Sequence, residues 1–249
     1  KTHERVRAKK LRGIYSDGFL IPVPEELIIK LSLGSDASGY LGITKYEEPE
    51  ENLPISGDAR RAPDWFITYT DIENIRRYPH ILQENEEVVI SEKVHGANGR
   101  IAYKDGEILV GSHTQAKKYG PNIWWKVIEQ IDPNTKISLL ASAVLASGYQ
   151  TFFEVYGQVQ DLKYGVRGVR AVAFDVYDLT SKCYLNYDHF KKFCADLQIP
   201  TIPELYRGPW KPELLELAEG MTAITHALGT NIREGFVVKP VEERWNQEI

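Results

Sequence analysis

Cysteine is scarce: the 249 residues contain two, Cys183 and Cys194. Their spacing suits no metal-ligand pair, so a zinc site is not expected, and reduced thiols in a cytosolic protein are the simplest reading. Long apolar runs are missing too. Nothing approaches the roughly 20 residues that a membrane-spanning helix needs, and the charged opening Lys1-Thr2-His3-Glu4-Arg5 has none of the pattern of a secretory signal. An intracellular, cytoplasmic protein with no membrane contact is expected. Nor is there a surplus of positive charge, since 30 Lys and Arg stand against 35 Asp and Glu for a net charge of −5. That balance argues against a surface that is nucleic-acid footprint throughout and confines any such contact to local patches. Internal repeats and low-complexity segments are also absent, which sets aside solenoids and arrays.

What is there is a globular composition, 43% hydrophobic and 26% charged, enough for one large domain or one large and one small. The segment from Lys1 to Arg12 carries six Lys or Arg against one Glu and runs into Gly13 to Pro22. This predicts two short strands joined by a Ser16-Asp17-Gly18 turn. A pair so small cannot fold alone, so it is expected to be part of a small β module or a decoration on the main domain. The acidic stretch Glu47 to Glu51, continuing to Arg61, lacks apolar periodicity and is expected to be a linker. A boundary near residue 62 divides residues 1–61 from 62–249.

Beyond Trp65 strand-like and helix-like segments alternate. Strands are predicted at Val88 to Lys93, Gly99 to Lys104 and Glu107 to Gly111, with Lys104-Asp105-Gly106 as a hairpin turn. Helices follow at Ile123 to Gln130 and Ile137 to Ser147, then strands at Thr151 to Tyr156 and Val169 to Tyr177. Two more helices are expected at Asp188 to Leu197 and Pro212 to Leu228, the second from Leu214, Leu215, Leu217, Ala218 and Met221 at helical spacing. A last strand covers Glu234 to Lys239 before Pro240. Sheets with segregated helices mean an α+β domain.

The chemistry concentrates in Ser91-Glu92-Lys93-Val94-His95-Gly96-Ala97-Asn98. A lysine amine is a nucleophile only when deprotonated, which takes burial or a neighbouring cation, and a strand end would hold it rigidly. Taken alone, the tetrapeptide around Lys93 reads better as an ordinary surface lysine before a glycine turn than as a nucleophile.

Lys93-Val94-His95-Gly96-Ala97-Asn98 resembles motif I of the covalent nucleotidyltransferase superfamily of polynucleotide ligases and messenger-RNA capping enzymes. Phe152 to Gly157 is similar to its motif III, Val172 to Tyr177 to motif IIIa, and Glu234-Gly235-Phe236-Val237-Val238-Lys239-Pro240 to motif IV, all in order. The His after the nucleophile resembles ATP-dependent RNA ligases more than DNA ligases or capping enzymes. Gln158 to Gly165 also looks like the RNA ligases with an N-terminal OB module, and Arg7 to Pro22 resembles that module's closing strands. The resemblance therefore implies an α+β, ATP-grasp-like adenylation domain of antiparallel sheets with flanking helices, preceded by part of an OB-like β module.

The same resemblance implies roles. Lys93 would attack the α-phosphate of ATP and hold AMP as a phosphoramide. Glu92 would accept the adenine amine, against the alternative of a solvated strand glutamate; Val94 would border the nucleotide. Asn98 would bond the ribose hydroxyls, Glu154 the ribose or a hydrated metal, and Phe174 would stack on adenine, although an aromatic in such a strand is also core material. His95, Glu154 and Glu234 would hold Mg²⁺ or Mn²⁺ through water, a ligand habit that suits a reluctantly dehydrated cation. Lys239 would pair with the α-phosphate and help keep Lys93 deprotonated. His113 stands where many relatives carry an RNA-contacting arginine, and Lys117 and Lys118 could meet phosphates or merely be solvated.

The resemblance also implies a Lys-x-Lys motif beyond Ile249, making this a fragment of a longer enzyme. The expected reaction joins 5′-phosphate and 3′-hydroxyl RNA ends through lysyl-AMP and RNA-adenylate, in RNA repair, a nicked duplex being one form of the substrate. The alternatives are a GTP-dependent capping guanylyltransferase, disfavoured by His95, and a non-catalytic RNA-binding protein of the same fold. Oligomeric state is not readable.

Overall fold

A computed structural model describes residues 9–11, 14–16, 22–43, 57–132, 136–224, 226 and 229–244. The chain divides into two compact units, Lys1–Pro54 and Ile55–Ile249. In the first, β1 (Lys9–Leu11) pairs antiparallel with β2 (Ile14–Ser16), Leu11 standing opposite Ile14. The turn predicted at Ser16-Asp17-Gly18 falls on residues 17 and 18, which lie outside the described residues. Two short helices follow. Helix α1 (Glu25–Lys30) has Glu25 and Glu26 in its first turn and Lys30 in its last, charges that complement the helix dipole. Helix α2 (Ser38–Leu41) ends on Gly42 in the left-handed region, φ 63°. What is described of the anticipated OB-like module is thus one hairpin and two helical turns.

The second unit starts inside the stretch expected to be linker. Strand β3 (Ala59–Arg60) pairs with β7 (Ala116–Lys117) at the edge of a seven-stranded sheet. The rest of that sheet is β5 (Ala97–Lys104), β6 (Glu107–Ser112), β8 (Tyr149–Gly157), β9 (Val169–Asp178) and β10 (Cys183–Tyr184), in the spatial order β10-β9-β8-β5-β6-β7-β3 with every pair antiparallel. The predicted hairpin turn is present between β5 and β6, Asp105 and Gly106 supplying φ of 52° and 83°. A second sheet has β4 (Glu87–Glu92) between β11 (Glu204–Pro209) and β12 (Phe236–Pro240), again antiparallel.

Helices α3 (Ile123–Glu129), α4 (Leu139–Leu145) and α5 (Tyr187–Asp196) start on Asn122, Ser138 and Asn186, whose side chains cap Trp125, Ala141 and His189. They cover one face of the large sheet, where Trp125, Ile128, Leu139 and Phe190 pack on Ile101, Phe153, Val155 and Val176. None of the described helices is long and apolar enough to cross a membrane.

The predicted helix from Pro212 to Leu228 is a correction. A 3-10 segment covers Pro212–Ala218 and stops there, with Glu219 extended and Gly220 at φ 121°. Leu214, Leu215 and Leu217 are still partly buried, against Val88 and Ile90 of the small sheet and Trp210 just beyond it. The apolar spacing was real, but Thr222 and Ala223 hydrogen-bond the Glu92 carboxylate, which an unbroken helix would not allow.

Candidate active site

Alternation along a strand sends neighbouring side chains to opposite faces. In β4, Val88 and Ile90 pack with Leu82 and Trp210, while Val89 and Ser91 line a narrow cleft with Phe174, Asp175 and Lys239. Lys93, two residues beyond Ser91, continues the cleft-facing series. Its N–H donates to Gly235 O at 3.0 Å, so the nucleophile candidate is tied by its backbone to the start of motif IV.

Around Lys93 the structure gathers three of the predicted residues. The Lys93 ammonium is bonded to Glu234 Oε1, and His95 Nδ1 lies 3.4 Å from Oε2 of the same carboxylate. Glu154 stands nearby on β8, opposite Asn98 of β5. Burial pushes its carboxyl up to about 8; the charge of Glu234 adds to that, while Lys93 and a hydrogen bond from the Gly96 N–H pull it down. Gly96 makes the close approach possible, since a Cβ there would sit 2.0 Å from Val155 O and 3.1 Å from Glu154 Oε1. The Asn98 amide Oδ1 is buried and has no hydrogen-bond partner among the described residues. An orphaned acceptor of this kind is where a ligand donor fits.

A second group forms at the other end of the same face. Lys239, opposite Val89 in the register, is about 13 Å along the strand from Lys93 at the usual rise of roughly 3.3 Å per residue. Its ammonium lies 2.6 Å from both Asp175 Oδ2 and Glu243 Oε1. Burial alone would lower its pKa, but the two carboxylates outweigh that and hold it above the ordinary lysine value. Tyr69 donates to the same Asp175 oxygen at 2.7 Å. Phe174 is delivered here by a β-bulge: Phe152 faces Asp175 and Phe153 faces Ala173, leaving Phe174 as the extra residue. Its ring meets Tyr69 edge-on at 4.9 Å and lies near-parallel to Phe152 at 6.3 Å.

The other predicted residues are elsewhere. Glu92 is buried, one carboxylate oxygen accepting from Thr222 Oγ1 and the other from the Ala223 N–H at 2.7 Å. Val94 is buried with Tyr156, Tyr164, Val172 and Ile224. His113 lies 3.7 Å from Asp71. Lys117 is not in a solvated loop: it is buried in β7, bonded to Gln115 Oε1 at 3.1 Å and over the Trp124 ring at 5.0 Å. Lys118 is exposed, its ammonium 3.4 Å from Gly57 O.

Four contributors escaped the sequence reading: Tyr164, Asp175, Thr222 and Glu243. A carboxylate between Phe174 and Val176 in an apolar strand demands a partner, and that signal could have singled out Asp175. The others become visible only once distant segments meet.

A family model described as RNA ligase matches residues 86–248. No curated protein matches the chain. Among solved structures it is similar to Naegleria gruberi RNA ligase with PPi, at 22% identity and a TM-score of 0.70, covering 97% of this chain and 72% of that one. A mutant of that ligase with ATP and Mn matches at 22% identity and a TM-score of 0.69, over 96% of this chain and 72% of the other. Another, with AMP and Mn, matches at 20% identity and a TM-score of 0.70, over 95% and 71%. At these identities the likeness is one of fold.

Proposed function

We propose that this chain, which belongs to the RNA ligase family, joins 5′-phosphate and 3′-hydroxyl RNA ends through an AMP carried on Lys93. The observation that carries the reading is the placement of Lys93 and His95 on the two oxygens of one carboxylate, Glu234, beside half-buried Glu154. The amine must lose a proton before it attacks, and Glu234, bonded to it, is the nearest acceptor. Its nitrogen then forms the N–P bond to the α-phosphorus of ATP while the bond to the β-phosphate oxygen breaks and pyrophosphate leaves. An oxygen of the RNA 5′-phosphate next displaces Lys93 from AMP. The 3′-hydroxyl finally attacks that 5′-phosphate and releases AMP. Repair of broken RNA, nicked duplexes included, is the use this chemistry suits.

A nucleotide with its α-phosphate at Lys93 would run along the cleft face and carry its base toward Phe174. Asn98 offers the ribose an unpaired amide oxygen. Glu92 could accept the adenine amine only by sharing oxygens already bonded to Thr222 and Ala223. Lys239 would reach a phosphate only by leaving Asp175 and Glu243. Among the described residues no group of three or more His, Cys, Asp or Glu is arranged to grip an ion. Glu234 and Glu154 therefore suit Mg²⁺ or Mn²⁺ held through water, and His95 would steady Glu234 instead of the ion. A bound cation would supply charge neutralisation on the polyphosphate.

Incubating the full-length protein with ATP labelled at the α-phosphate and Mg²⁺ should give a protein-bound label that survives denaturing electrophoresis and is released by acid. Lys93→Ala should abolish it and Lys104→Ala should not. No label from the wild type would leave the binding-protein alternative, and labelling by GTP instead of ATP would favour the capping enzyme.

A further inference from the structure

Tyr164 sits in the loop between β8 and β9, yet none of its side chain reaches solvent. Its backbone is in the left-handed region, φ 53°, and so is that of Gly165 at φ 65°. For a bulky residue that conformation costs energy and persists where the surroundings over-determine it. Here they do. The Tyr164 N–H donates to Asn231 Oδ1 at 2.9 Å, and a Cβ on Gly165 would lie 2.4 Å from Gly229 O. The ring stands edge-on to Tyr156 at 5.4 Å and packs in the buried cluster that includes Val94. At its tip the phenol oxygen accepts the His95 N–H at 2.7 Å.

One side chain thus links three segments: the nucleophile turn Lys93 to Gly96, the β8–β9 loop, and the run from Gly229 to Glu234 that delivers the carboxylate under Lys93. We infer that Tyr164 is a positioning residue for adenylation, setting the backbone of the nucleophile turn so that Lys93 and His95 both meet Glu234. This inference rests on the reading of Lys93 as the nucleophile. Without the phenol oxygen the His95 N–H is left in a buried place without its acceptor, a state proteins avoid by shifting the backbone. The turn is tight, with Gly96 pressed on Val155 O, so any shift is passed to Lys93 two residues away.

Tyr164→Phe keeps the ring and removes the acceptor. At saturating ATP its single-turnover rate of adenylation should fall about ten- to a hundredfold, the range expected when a reacting group is displaced by a fraction of an ångström to an ångström. The half-saturating ATP concentration should stay within about twofold, because binding is not what is lost. Tyr156→Phe is the matched control: it removes a hydroxyl from the same cluster, one that meets His226 Nε2 at 3.2 Å, and should leave the rate unchanged. Asn231→Ala, which releases the Tyr164 N–H without touching His95, should slow adenylation in the same direction but less, and it serves if Tyr164→Phe does not fold. Amide hydrogen exchange at His95 should quicken in both Tyr164→Phe and Asn231→Ala and not in Tyr156→Phe. Normal adenylation by a folded Tyr164→Phe protein, or equal slowing by Tyr156→Phe, overturns the inference while leaving Lys93 as nucleophile. A wild type that takes no label sinks both together.

Discussion

Lys93 and Lys239 stand on the same face of the same strand pair, and each is held by carboxylates, yet the two ends of that face are built differently. The Lys93 side chain is 54% exposed and its partner Glu234 is 29% exposed. Lys239 is 27% exposed and its partner Asp175 only 2%, with Glu243 and the Tyr69 hydroxyl closing around the pair. An exposed pair exchanges partners at little cost, whereas a buried pair cannot lose one member without stranding the other. The difference separates an ammonium open to solvent from one enclosed by carboxylates. The motif resemblance alone directs both lysines at the α-phosphate, one as nucleophile and one as its counter-charge.

Removing the carboxylate at each end should break the comparison most sharply. Asp175→Ala should cost about 2 kcal/mol or more of stability in urea unfolding, because the Tyr69 hydroxyl loses its acceptor and Lys239 keeps only Glu243. Glu234→Ala should cost less than about 1 kcal/mol, as exposed pairs do, while losing adenylation. Equal stability losses would show that the two ends are not different in kind.

The carboxyl of Glu154, near Lys93, gives a pH signature of intermediate size. Glu154 has its pKa raised to about 8 from the ordinary 4.5 by burial, helped by Glu234. The folded state therefore keeps a proton that the unfolded state has released, and the stabilisation present below about 4.5 is lost as pH rises towards 8. Thermal unfolding of the protein free of metal and nucleotide should show this decline, and Glu154→Gln should flatten it. A variant that keeps the wild-type slope would place the titration on another group.

The smallest effect concerns a third lysine at the far edge of the large sheet. Lys117→Ala should cost about 1 kcal/mol, because the ammonium over Trp124 and its hydrogen bond to Gln115 are lost together. Lys118→Ala should change stability by less than about 0.5 kcal/mol, as surface substitutions do. If Lys117→Ala instead lowers the salt dependence of RNA binding by about one phosphate's worth, Lys117 contacts RNA after all.

Much of the fold could be read before any coordinates. β-Favouring runs placed β4, β5 and β6, and Asp105-Gly106 placed the turn between the last two, because strand propensity and left-handed turn residues are local properties. Helices α3 and α5 lie where the sequence predicted them, and the structure adds that each starts behind a capping Asn. The region after Pro212 did not, since its leucines fit a helix locally while Glu92, about 130 residues earlier, draws Thr222 and Ala223 out of one.

The site divides along the same line. The sequence by itself determined that Lys93, His95, Glu154 and Glu234 occur in the order and company of a nucleotidyltransferase, with a glycine turn at 96 behind the lysine. Only the tertiary structure decided that Lys239 belongs with Asp175 and Glu243, that Glu92 and Val94 face the interior, and that Tyr164 reaches the His95 N–H. Those facts depend on which distant segments touch. A strand's face and a turn's handedness are encoded within a few residues, but the partner of a buried charge is chosen by the packing of the whole domain.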